Sequence, residues 1–107
     1  MAERKVPSKL FNELVQRYPS VFEAHENLGA ALREAGPLDE KTLQLIQLAA
    51  AGASGSEGAV HSHTRRALQA GATEDEIYHT LISLISTIGF PNVTAAISWS
   101  KDILDKK

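Results

Sequence analysis

The chain has 107 residues, 43% apolar and 22% charged, with a formal net charge of -2 and no cysteine. This length predicts one globular domain, residues 1–107, and the missing cysteines exclude disulfides, thiolate metal ligands and thiol catalysis. The weak net charge offers no basic field for nucleic acid, no apolar window nears the ~20 residues that span a bilayer, and Met1 to Lys5 lack a signal peptide's apolar segment, so a cytoplasmic protein binding neither nucleic acid nor membrane is expected.

Apolar residues recur at helical spacing and nowhere alternate with period 2 for long, which predicts an all-α fold of about six helices. The first helix is expected from Pro7 to Arg17, with Leu10, Phe11, Leu14 and Val15 on one side and Pro19 as its stop. Ser20 is placed to cap the second, whose Ala24, Leu28, Ala31, Leu32 and Ala35 share core spacing up to Gly36-Pro37. Asp39 is a plausible cap for the third, which is apolar nearly all round from Leu43 to Ala53 and is therefore expected to be buried on most sides. Gln44 and Gln47 interrupt it.

The fourth helix follows the Gly52-Ala53-Ser54-Gly55 break, runs from Ser56 to Ala70 and closes at Gly71. Thr73 and Glu76 have capping-box spacing at the head of the fifth, whose stripe is Ile77, Leu81, Leu84, Ile85 and Ile88. After Gly89-Phe90-Pro91 the sixth helix turns Val93, Ala96, Ile97 and Leu104 inward. The broad apolar faces of the third and fifth helices, with Trp99 off the main stripe of the sixth, predict a homo-oligomer.

Candidate chemistry gathers at the start of the fourth helix. At 100° per residue Val60, His63, Ala67 and Ala70 share a face, which predicts an inward His63, while Glu57 and His61 at i and i+4 can touch beside it. An imidazole there suits proton transfer near neutral pH, although the spacing alone favours a core histidine satisfied by one partner. Glu57 can likewise serve in a capping box formed with Ser54. In a helix the rings of His61 and His63 diverge by about 200°, so they form no chelate and no metal or cofactor is expected. Arg65 and Arg66 can attract a carboxylate or simply face water.

The segments Leu38-Asp39-Glu40-Lys41-Thr42, Leu45 to Ala53, His63-Thr64-Arg65-Arg66-Ala67-Leu68-Gln69-Ala70-Gly71-Ala72-Thr73 and Gly89-Phe90-Pro91-Asn92 resemble the carboxymuconolactone decarboxylase and alkylhydroperoxidase D superfamily. The resemblance implies an all-α fold assembling as trimers or hexamers, with sites near subunit interfaces. In its peroxidase branch a glutamate and two cysteines precede the histidine, and those positions fall here on Gln44, Ser56 and Ala59. Only His63 survives, so thiol-based peroxidase chemistry is physically closed.

The decarboxylase branch is the closer likeness and implies loss of CO₂ from a small lactone or carboxylate. It casts His63 as proton carrier and Glu57 and His61 as tuning or relay groups. Gln44 and Ser56 become substrate contacts, Gln44 as a neutral hydrogen-bonding group, and Arg65 or Arg66 a carboxylate clamp. A non-catalytic ligand-binding or scaffold role is the alternative.

Overall fold

Helical spacing becomes helix throughout. The computed structural model describes residues 8–106, and among them every regular element is an α-helix. In chain order these are α1 (Ser8–Arg17), α2 (Pro19–Glu34), α3 (Glu40–Ala53), α4 (Glu57–Gln69), α5 (Glu74–Ile82), α6 (Ile85–Ile88) and α7 (Phe90–Leu104). None of the described helices is long and apolar enough to cross a membrane. The described residues fall into two compact units divided after Asp39.

In the first unit α1 and α2 form a hairpin in which the rings of Phe11 and Phe22 meet edge to face, 5.8 Å apart at 82°, the arrangement their quadrupoles favour. The expected start at Pro7 lies outside the described residues. Pro19 opens α2 instead of only ending α1, and Tyr18, not Ser20, is its N-cap. A first-turn residue has no intrahelical acceptor to lose, and proline's fixed φ already suits the helix. The expected core stripe of α2 stays uncovered: no α2 residue is buried, and Leu28 and Leu32 are exposed. Gly36 is not among the positive-φ glycines, so the helix ends through Ala35 in a right-handed conformation.

The second unit holds the core. Leu48 of α3, Val60 and Ala67 of α4, Ile77 and Leu81 of α5, and Val93 and Ala96 of α7 are fully buried. At about 25 cal/mol per Å² of apolar surface, this burial is the main force closing the unit. The α3 helix packs against α4, α5 and α7 at once, and Gly52 is what lets it approach. A Cβ there would lie 3.2 Å from Ala96 Cβ and 3.4 Å from Leu81 Cδ2, so even a methyl group would require Ala96 to give by a few tenths of an ångström. Even so, α3 is not buried on most sides, since Ile46 is exposed.

Turn chemistry sets the remaining boundaries. The α5 capping box is complete: Thr73 accepts from the Glu76 N–H, and the Glu76 carboxylate accepts from the Thr73 N–H. Lys41 of α3 reaches the same carboxylate at 3.0 Å. Together these hold the Glu76 carboxyl below its usual range, the Thr73 backbone bond contributing most. Gly71 and Gly89 take φ of 101° and 90° at helix ends, a region that favours glycine.

The single fifth helix expected from the stripe is broken into α5 and α6 at Ser83 and Leu84. There Ser83 Oγ donates to the Thr80 carbonyl and the Leu84 N–H turns to Leu81, so hydroxyl competition and a tightened turn interrupt the ladder. In α7, Ser100 and Ile103 join the expected core residues, and Trp99 packs against the core, half-buried.

Candidate functional site

The site is built on α4, whose inward face differs from the expected one. Its buried residues are Val60, His61, Thr64 and Ala67, a stripe centred on Thr64. His61 is 2% exposed, whereas His63 is half-buried on the flank. A polar Thr64 had no reason to be counted inward. In the fold its Oγ1 lies 2.8 Å from Ser100 Oγ of α7, and both side chains are fully buried. A hydroxyl pair that satisfies itself can occupy a core position without the penalty of an orphaned polar group.

The turn before α4 also differs. Ser56 is the N-cap, with its hydroxyl accepting the Ala59 N–H, and Ser54 Oγ instead donates to the Ala51 carbonyl. The expected capping box between Ser54 and Glu57 therefore does not form. Glu57 is the first helical residue, where its charge suits the helix dipole. Ser56, expected at a substrate, is occupied as a cap.

His63 turns toward α3. Its Nδ1 is 2.9 Å from Gln44 Oε1, and Gln44 Nε2 donates to Glu40 Oε2 at 2.9 Å. Gln44 is 3% exposed, so the amide linking these groups is locked among packed neighbours. The carboxylate fixes the whole chain of bonds: it can only accept, so the Gln44 NH₂ faces Glu40 and its carbonyl faces the ring. His63 must then donate from Nδ1, which leaves Nε2 of the neutral ring with the basic lone pair.

Burial, and then the charge of Arg66 three residues on, lower the His63 pKa below the ordinary imidazole value. Both causes disfavour the imidazolium, so the neutral ring prevails near neutral pH. Arg66 is exposed and Arg65 half-buried.

His61 turns the other way, toward α7. Its Nε2 lies 2.9 Å from Asp102 Oδ2 and 4.0 Å from Glu57 Oε2. Its Nδ1 is buried with no protein hydrogen-bond partner, an arrangement that costs about 1–3 kcal/mol. The two imidazoles serve different helices, as the 200° divergence requires. Glu57 and His61 do meet, and His63 meets Gln44, but the two pairs are separate.

Three residues that complete these arrangements escaped the sequence. Glu40 stands one turn before Gln44, a helical i,i+4 spacing that was available as a signal. Asp102 is 41 positions from His61 and Ser100 is 36 from Thr64, and no local pattern links them. A groove of about 340 Å³ between α3 and α5, lined by Thr42, Leu45, Ile46, Ala49, His79, Thr80 and Ser83, includes neither imidazole pair.

Residues 19–102 match the model of the Carboxymuconolactone decarboxylase family. An uncharacterized protein of Haemophilus influenzae is 41% identical over 59 residues, which are 55% of this chain and 52% of that protein. The chain thus spans about half the length of that relative. An uncharacterized protein of Methanocaldococcus jannaschii is 29% identical over 92 residues, 86% of each chain. Among solved structures, an apo carboxymuconolactone decarboxylase family protein of Legionella pneumophila superposes with a TM-score of 0.80 at 23% identity, covering 92% of this chain and 88% of that one. That likeness establishes the fold.

Proposed function

The chain belongs to the carboxymuconolactone decarboxylase family, and from that premise we propose that it decarboxylates a small lactone or carboxylate, with His63 as the proton carrier. The observation that carries this reading is the run of bonds from Glu40 through Gln44 to His63, which holds one imidazole in one tautomer beside a cationic side chain.

The reaction needs a broken C–CO₂⁻ bond and a proton for the carbon left behind. In the neutral ring Nδ1–H is held by Gln44, and Nε2 takes up a proton from water or from an acidic group of the substrate. As CO₂ leaves, the bonding electron pair moves into the adjacent unsaturated system. The Nε2 proton is then delivered to the carbon, and the ring returns to its starting form. A lowered pKa makes the imidazolium a readier donor, which suits that last step. Arg66 supplies a positive charge near the ring for a second carboxylate of the substrate.

We place this chemistry in a self-associated, cytoplasmic protein without a cofactor. Exposed Ile46, Ile82, Ile85 and Phe90 support association. Sedimentation at micromolar concentration is expected to give a trimer or hexamer, and a monomer would remove that part of the proposal.

The catalytic test is release of CO₂ from a panel of small lactone dicarboxylates by wild type and His63→Ala. Removing an acid–base group of this kind is expected to lower turnover by about 10²–10⁴-fold while the helical signal is kept, the loss of the bond to buried Gln44 costing about 1–3 kcal/mol of stability. Equal turnover by the folded variant would overturn the assignment.

A further inference from the structure

We propose that Glu57, His61 and Asp102 form a binding site for a first-row divalent metal ion on the seam between α4 and α7, separate from the His63 arrangement. One ligand atom from each of the three residues lies within 4.8 Å of the others. The donors are one imidazole nitrogen and two carboxylate oxygens, a mixed nitrogen and oxygen set that suits Zn²⁺ and its first-row neighbours.

The geometry is close to what coordination needs. The 2.9 Å between His61 Nε2 and Asp102 Oδ2 is near the roughly 3.0–3.4 Å that separates adjacent ligands at bonds of about 2.1 Å in octahedral to tetrahedral geometry. Glu57 Oε2, at 4.0 Å, is further out on a side chain 30% exposed. A shift of about 1 Å at the tip of that side chain, within reach of a single rotamer adjustment, would bring it to the same sphere. Water would occupy the remaining positions.

A second observation concerns His61 itself. It is 98% buried by its 2% exposure, yet Nδ1 has no protein partner. A buried imidazole whose other nitrogen makes no bond is oriented by packing and by its contacts at Nε2 alone. Burial also fixes the ring plane, so Nε2 is aimed where two carboxylates from two helices converge. A dication held between the two carboxylates would engage both and offset their mutual repulsion. The Thr64–Ser100 hydroxyl pair adjoins the cluster one turn along α4, so polar groups continue along this seam between α4 and α7.

The test is isothermal titration of the chelator-treated full-length protein with Zn²⁺, comparing wild type with Glu57→Gln, His61→Gln and Asp102→Asn. One saturable Zn²⁺ per chain is expected, with affinity falling by at least about tenfold in each variant. His25→Gln, His79→Gln and His63→Gln are expected to leave that binding in place. Because a change at buried His61 can impair folding, the decisive companion is the ¹⁵N resonance of His61 Nε2 in wild-type protein, expected to shift on saturation with Zn²⁺. No saturable binding up to millimolar Zn²⁺ would overturn the proposal. So would binding that persists in Asp102→Asn and Glu57→Gln or that is lost with any of the other three histidines, or an unmoved His61 signal.

Discussion

Replacing Gln44 by methionine isolates what the buried amide does for His63. Methionine keeps the length and nearly the volume of glutamine at a position only 3% exposed, so no cavity opens and no neighbour need move. Two hydrogen bonds of 2.9 Å are lost, one to His63 and one to Glu40. Each is worth about 1 kcal/mol net. The loss is partly offset because the half-buried ring and the exposed Glu40 can turn to water, and because no amide has to be desolvated. The net change is expected to stay within about 1 kcal/mol, or roughly 4–8 °C at most for a domain of this size.

The tautomer is affected more. A bond worth about 1–1.5 kcal/mol favours the Nδ1–H form of the neutral ring by roughly five- to tenfold, since each 1.4 kcal/mol is a factor of ten. Long-range ¹H–¹⁵N spectra of His63 are expected to show a protonated Nδ1 in wild type and a mixture in Gln44→Met. Decarboxylation should slow by only about twofold, the fall in the competent tautomer's share from roughly nine-tenths to one half, without a matching loss of stability. A variant with the same tautomer population as wild type would refute the argument that Glu40 and Gln44 set the ring.

Two further outcomes can be measured on the same protein. Thr64→Val and Ser100→Ala each leave one buried hydroxyl unpaired and are expected to cost about 1–3 kcal/mol in urea denaturation, while the double variant costs less than the sum by about 1 kcal/mol or more; strict additivity would show that the pair does not act as a unit. The lowered pKa of His63 means that, as pH falls below the ordinary 6.5, the unfolded chain takes up this proton before the folded one does. Its contribution is therefore intact above that pH and is lost as pH falls toward the folded value. Thermal melts of His63→Gln should show a shallower decline than wild type over that range, and parallel curves would contradict the assignment.

Local sequence determined the helices because a helix is a local object. Spacing of three and four residues placed them, and Thr73 with Glu76 and the positive-φ Gly71 marked ends whose bonding partners lie within a few positions. The missing thiols also excluded one chemistry outright, since no fold can supply an absent sulfur. His63 and Gln44 were both identified, but only the packing of α3 against α4 brought them to 2.9 Å and assigned the ring its donor nitrogen.

Tertiary structure alone decided which face of α4 is inward. The buried stripe is centred on Thr64, a residue that is polar in isolation and acceptable in a core only because Ser100 arrives from 36 positions away. The same rotation buries His61, brings it to Asp102 and leaves His63 on the flank. A hydrophobic pattern measures the preference of each side chain for water, and it has no access to a partner that cancels that preference. For that reason the sequence could locate the helix that carries the site, while the pairing of its two histidines waited on the fold.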